Sequence, residues 1–153
     1  MTHLKVGDKA PGFSFTDHSG EEISLESYKN KKLILYFYPR DNTPGCTAEA
    51  CNLRDNYEGL LAKGFAIVGV SADSEKSHLK FRTKYDLPFP LISDTDKEVL
   101  EAYGVWGTKK MAGRTYMGIY RMTFVIDEQG IIEKIYTKVK TKEHTEQILA
   151  DFE

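Results

Sequence analysis

Two short apolar runs with one helix-length segment between them constrain this chain more than any other feature. The first, Lys32-Leu33-Ile34-Leu35-Tyr36-Phe37-Tyr38, is rich in aromatic and branched residues and stops at Pro39; the second is Phe65-Ala66-Ile67-Val68-Gly69-Val70. Neither alternates polar with apolar residues, so each predicts a strand buried on both faces. The 43–63 stretch between them has helical spacing, and strand, helix, strand in that order predicts a right-handed parallel crossover. Further helices are predicted over 75–85 and 96–103. Two later runs, 122–127 and 131–136, flank Glu128-Gln129-Gly130 and predict an antiparallel hairpin, after which 142–152 closes the chain as a helix. Near the start, Phe13-Ser14-Phe15 and Glu22-Ile23-Ser24-Leu25, on either side of Ser19-Gly20, predict an added hairpin. The 104–120 segment reads as a long loop with Trp106 packed beneath it.

Parallel strands with crossover helices, then an antiparallel hairpin and a last helix, describe an α/β protein whose mixed central β-sheet is flanked by helices. The outline is compatible with a thioredoxin-like fold carrying an N-terminal β-hairpin extension. With 153 residues, 41% hydrophobic, and neither repeat nor linker, a single domain over 1–153 is expected. The 21 basic and 23 acidic side chains nearly cancel, so no cationic field draws nucleic acid or an anionic membrane. No apolar stretch nears the ~20 residues that span a bilayer, and no cleavage pattern marks the start, so a cytoplasmic location is expected. Two cysteines are too few for a disulfide scaffold and point instead to catalysis. His3, His18, His78 and His144 lie too far apart in sequence to form a familiar zinc pattern with them and are expected at the surface.

The informative junction is Pro39-Arg40-Asp41-Asn42-Thr43-Pro44-Gly45-Cys46-Thr47-Ala48-Glu49-Ala50-Cys51, where the first strand hands over to the helix. Thr43 suits the N-cap, and Pro44 suits the first helical position because its missing N–H would be unsatisfied there anyway. Cys46 then falls at the third position, where backbone N–H groups and the positive end of the helix dipole favour a thiolate over a thiol. Cys46 is expected to be a nucleophile rather than the small buried hydrophobe that a free cysteine often is. On a helical wheel Ala50, Leu53, Tyr57, Leu60 and Leu61 lie within about 60° of Cys46, whereas Cys51 lies about 140° away. Cys51 shares its face with Thr47, Arg54, Asp55 and Glu58. Five helical residues also separate the two Cα atoms by roughly 8.7 Å, beyond the ~7 Å at which a disulfide closes without backbone movement. Any Cys46–Cys51 bond therefore requires this helix to unwind.

The 39–46 stretch, read as Pro, three residues, Thr, two residues, Cys, resembles the peroxiredoxin active-site motif. With Cys51 five residues on, Gly104-Val105-Trp106-Gly107, and the run from Gly118 through Arg121 to Asp127, nearly the whole chain is similar to the peroxiredoxin Q, or bacterioferritin comigratory protein, group. That resemblance implies a thioredoxin fold, and a thiol peroxidase reducing hydrogen peroxide and organic hydroperoxides in antioxidant defence. It implies that Cys46 attacks the terminal peroxide oxygen and that Cys51 traps the sulfenic acid as an intramolecular disulfide before it oxidises further. It implies re-reduction by thioredoxin or a similar dithiol, a monomer, and no metal or organic cofactor. By the same resemblance Pro39 shields the sulfur, the Thr43 hydroxyl bonds thiolate or peroxide, and Arg121 holds positive charge beside both.

Two other readings compete. A general thiol–disulfide oxidoreductase usually carries Cys-x-x-Cys, whereas four residues intervene here. A non-catalytic binding module on the same fold would leave both thiols unreactive.

Overall fold

The computed structural model describes residues 1–17 and 19–152. Its framework is a five-stranded mixed sheet. The central strand β3 (Lys32–Phe37) runs parallel to β4 (Phe65–Ser71), which pairs in parallel with β5 (Leu91–Ser93). On its other side β3 pairs antiparallel with β8 (Met122–Ile126), and β8 pairs with β9 (Ile132–Tyr136) in the predicted hairpin. Near the start, β1 (Ser14–Thr16) and β2 (Glu22–Ser24) make the expected N-terminal hairpin as short paired strands. His18 lies outside the described residues.

The unbroken apolar run in β3 follows from its place in the middle. Leu33, Leu35 and Phe37 point to one face, where they meet Val68, Val70 and Phe124. Ile34, Tyr36 and Tyr38 point to the other, where Cys46, Ala50 and Leu53 cover them from α1 (Pro44–Asp55). Leu53 is fully buried, and truncating such a side chain to alanine costs about 2–5 kcal/mol. This packing seats α1 on the sheet and fixes which way Cys46 points.

The predicted 43–63 helix is two helices, α1 and α2 (Tyr57–Ala62). The break is at Asn56, whose side-chain amide donates to the Asn52 carbonyl (2.8 Å) that a continuing helix would use. Phase is lost there. Leu60 is buried, but Leu61, expected on the Cys46 face, is 41% exposed. Helix α3 (Glu75–Tyr85) has the predicted bounds, with Ser74 accepting the Ser77 N–H as its cap. The 96–103 helix shrinks to α4 (Glu98–Ala102), and 142–152 becomes a 3₁₀ turn, Thr141–Glu143, followed by α5 (His144–Leu149).

The 104–120 segment is not a loop. It forms a hairpin of β6 (Trp106–Met111) and β7 (Arg114–Ile119), so Trp106 starts a strand rather than packing under a loop. Its two turn residues, Ala112 (φ 51°) and Gly113 (φ 79°), both adopt left-handed backbone, the tight turn whose twist matches paired strands. Both faces are largely exposed and mixed in polarity, so no alternation announces it. No helix among the described residues is long and apolar enough to cross a membrane.

Candidate active site

Strand β3 delivers the chain to the start of α1 through a short loop. Tyr38 is still buried, Pro39 is half-buried, and Asn42 takes left-handed backbone (φ 61°) to turn the chain. Thr43 sits at the N-cap in extended backbone and Pro44 at the first helical position, which puts Cys46 third. The Thr43 carbonyl accepts the first helical hydrogen bond, from Thr47 N–H at 2.8 Å. Its hydroxyl does not cap the helix or reach Cys46. It donates instead to the Arg40 carbonyl (2.9 Å), because the turn at 40–43 brings that acceptor back beside it.

Arg121, in the short connection before β8, meets Cys46 from the sheet side. Its Nη2 lies 3.2 Å from Cys46 Sγ, and its Nη1 donates to Glu49 Oε1 at 2.7 Å. Gly45 makes room for this approach: a Cβ there would stand 3.1 Å from Arg121 Nη2. Burial lowers the pKa of Arg121, but Glu49 and Cys46 outweigh it and leave the guanidinium above its ordinary value. Cys46 is 1% exposed.

Glu49 is fully buried, and burial pushes its carboxyl up to about 7 against the opposing pull of Arg121's charge and hydrogen bond. Its second oxygen, Oε2, finds no hydrogen-bond partner and lies 3.7 Å from Nε2 of the equally buried His144. The Gln147 Oε1 that faces His144 Nδ1 (2.9 Å) also accepts from Lys140 N–H, so Nδ1 carries the ring proton. Nε2 is then left to accept from the Thr123 hydroxyl at 2.8 Å. Burial, foremost, lowers this imidazole to about 4 and keeps it neutral.

Cys51 is half-buried on the outer side of α1, and both thiols are free with 46–51 helical. The next residue, Asn52, ties α1 to the end of the chain: its amide donates to the Lys142 carbonyl (3.0 Å) and accepts the Thr145 N–H (2.8 Å). Pro39 lines a cleft of about 320 Å³ with Arg40, Trp106, Lys109, Met117 and Ile119, among others. Lys109, there, is close enough to the site that Arg121's repulsion, after burial, lowers its pKa while the Cys46 charge raises it.

The structure thus brings Cys46 and Arg121 into contact, places Pro39 on the adjoining cleft, turns the Thr43 hydroxyl aside, and keeps Cys51 on a different helix face. Two expectations fail: His78 and His144 are buried rather than at the surface, because each ring exchanges water for internal partners. His3 is exposed. Sequence reasoning also passed over Glu49, although it is three residues from Cys46 and therefore on the same helix face. It assigned no role to Asp41, whose carboxylate is buried against His78.

The sequence pattern of the AhpC/TSA family matches residues 6–135. The chain is 45% identical over 146 residues to the peroxiredoxin Bcp of Bacillus subtilis, covering 95% of this chain and 93% of that protein. It is 43% identical over 149 residues to the peroxiredoxin Bcp of Escherichia coli, covering 97% and 96%. A cysteine-to-serine variant of Xylella fastidiosa peroxiredoxin Q superposes with a TM-score of 0.91 at 32% identity, covering 99% of this chain and 97% of that one. The bacterioferritin comigratory protein of Xanthomonas campestris superposes with a TM-score of 0.88, also at 32% identity and with the same coverage. With its thioredoxin-like sheet, a cysteine opening α1 and an arginine against that sulfur, the chain belongs to the AhpC/TSA family and is a peroxidase of the peroxiredoxin Bcp, or peroxiredoxin Q, group.

Proposed function

We propose that Cys46 reduces hydrogen peroxide and organic hydroperoxides and that Cys51 resolves the oxidised sulfur, with thioredoxin or a similar dithiol as the returning reductant. The carrying observation is Arg121 Nη2 at 3.2 Å from a sulfur held at the third position of α1. A guanidinium on one side and the helix N-terminus on the other favour the thiolate and remain in place for the charge that moves to the leaving oxygen. The thiolate attacks the terminal oxygen, the O–O bond breaks, and its electron pair leaves with a proton as water or alcohol. Cys46 is left as a sulfenic acid. Pro39 restricts water at the sulfur, and the Thr43 hydroxyl, its proton spent on Arg40, offers lone pairs to the peroxide O–H.

Cys51 thiolate then attacks the Cys46 sulfur, the S–O bond breaks, and the hydroxide leaves as water with the proton that the Cys51 thiol gave up as the disulfide forms. Helical spacing forbids this step in place, so 46–51 must unwind, breaking the Asn52 bonds to Lys142 and Thr145. The dithiol reductant returns two electrons by exchange and restores both thiols. The cleft's apolar members, Trp106, Met117 and Ile119, suit the organic part of a hydroperoxide. Alkyl peroxide reduction is the activity described for the Xanthomonas campestris relative. The chain is taken to work as a single-domain monomer in the cytoplasm, which sedimentation and fractionation test.

The chemistry is tested by adding stoichiometric hydrogen peroxide to reduced protein and following free thiols. Wild type loses both as one intramolecular disulfide, Cys46→Ser is inert, and Cys51→Ser stops at a trappable sulfenic acid. A Cys46 that reacts no faster than an unactivated thiol sinks the reading.

A further inference from the structure

The loop that delivers Cys46 has a second buried charge, which peroxide chemistry does not use. Asp41, two residues before the N-cap, accepts from three donors: Tyr38 hydroxyl on Oδ1 (2.6 Å), Ser77 hydroxyl on Oδ2 (2.8 Å), and His78 Nδ1 on Oδ2 (2.7 Å). The other ring nitrogen of His78, Nε2, faces the Ile92 carbonyl at 2.9 Å. A carbonyl only accepts, and so does a carboxylate oxygen, so both ring nitrogens carry protons and His78 is an imidazolium. Both side chains of the pair are 3% exposed. Asp41 is held on the main-chain side as well, its N–H donating to Asp73 Oδ2 at 2.8 Å.

We propose that His78 is a positioning residue for the peroxide reaction: its imidazolium clamps Asp41 to β5 and so fixes the loop that aims the first turn of α1 at the peroxide site. The inference rests on the reading of Cys46 given above. The clamp joins three elements at one buried point: the 38–43 loop through Tyr38 and Asp41, α3 through Ser77 and His78, and β5 through the Ile92 carbonyl; the other polar links between loop and α3, from Lys84 and Tyr85 to Asn42, are exposed. Asp73, from the connection between β4 and α3, is the remaining charge facing it. Asp41, Asp73 and His78 could be taken for metal ligands, since one ligand atom from each lies within 4.8 Å of the others. Those atoms are already engaged: Asp41 Oδ2 by Ser77 and His78, and Asp73 Oδ2 by Asp41 N–H and the Ser71 hydroxyl. Burial lowers the pKa of His78, but the hydrogen bond and charge of Asp41 more than offset it, so the ring holds its proton above the ordinary range. Loss of one proton leaves one ring nitrogen, at Asp41 Oδ2 or at the Ile92 carbonyl, facing an acceptor with no hydrogen between them, and the link from Asp41 to β5 is broken. Because reacting atoms must be held to within about 1 Å, loosening the loop slows the reaction without touching Cys46.

Two measurements test this. The first needs no variant: ring nitrogen shifts of His78 in the reduced wild type, expected to report both nitrogens protonated at neutral pH. A neutral ring there overturns the proposal. The second is the rate of sulfenic acid formation in a Cys51→Ser background, for His78→Gln, Asp41→Asn and the pair, from about pH 6 to about pH 9. Each single change is expected to slow the reaction roughly tenfold and the double change no further, since both remove one interaction. The parent should lose rate as pH rises through the His78 titration, and His78→Gln should not. Additive losses, or a profile unchanged by His78→Gln, overturn the clamp while the parent's reactivity still stands. If the parent itself does not react, it is the reading of Cys46 that fails.

Discussion

The two buried carboxylates near Cys46 are opposites in how they are partnered. Asp41 has donors on both oxygens and a charged imidazole beside it, whereas Glu49 has one arginine and one oxygen with no partner. The histidines divide in the same way. His78 faces two acceptors and its pKa rises; His144 receives a hydroxyl and falls to about 4. Residue type and depth are nearly the same in both places, so burial alone does not set charge. The geometry of the neighbouring donors and acceptors does. One cluster is saturated and acts as a fixed clamp, while the other keeps an unmet valence next to the reacting sulfur.

The largest test of this contrast is Arg121→Gln, which removes the guanidinium that donates to Glu49 and stands as the cation at Cys46. A loss of about 10²–10³ in the rate with peroxide is expected, read from stopped-flow thiol oxidation. A loss under about threefold would mean that the helix N-terminus alone supports the thiolate.

Next in size is the acid limb of stability. Because folding depresses His144 from 6.5 to about 4, its contribution is complete above pH 6.5 and is lost as pH falls toward 4. His78, raised by folding, contributes fully below pH 6.5 and loses its share as pH rises through its folded value. Denaturation curves of His144→Gln should therefore lose roughly 2–3 kcal/mol less than wild type on acidification to about pH 4. Curves of His78→Gln should lack the alkaline fall. Parallel curves for variant and wild type would erase the distinction between the two rings.

Gly45→Ala sets a methyl 3.1 Å from Arg121 Nη2 and is expected to cost about tenfold in rate with little change in melting temperature. Loss of fold in place of loss of rate would show that Gly45 serves the helix and not the arginine.

The lesser of the two acid limbs belongs to Glu49→Gln. Glu49 is raised from 4.5 to about 7, so its contribution is present below pH 4.5 and lost as pH rises to about 7, opposite to His144 across an overlapping window. Removing its titration should steepen the gain in stability from pH 4 to 6.5 by roughly 2 kcal/mol. A shallower slope would assign the titration elsewhere.

Much of the frame was legible because period and turn chemistry act locally. The apolar runs at 32–38 and 65–70, the cap Thr43-Pro44 and the helix 75–85 need no knowledge of what they pack against. The 104–120 hairpin was not legible, because strands exposed on both faces carry no alternation. The wheel failed past Asn56 for a related reason: one side-chain hydrogen bond resets the phase that the wheel assumes to be constant.

By itself the sequence determined that Cys46 opens a helix on a strand buried on both faces and that Cys51 points elsewhere, since both follow from helical geometry within thirteen residues. It also pointed to Arg121, but only through resemblance to a family. What only the tertiary structure decided is the state of the charges around that cysteine. Arg121 reaches Cys46 across 75 residues, Glu49 meets His144 across 95 and Asp41 meets His78 across 37. Each proton there is placed by donors and acceptors that the fold, not the local chain, brings within 4 Å.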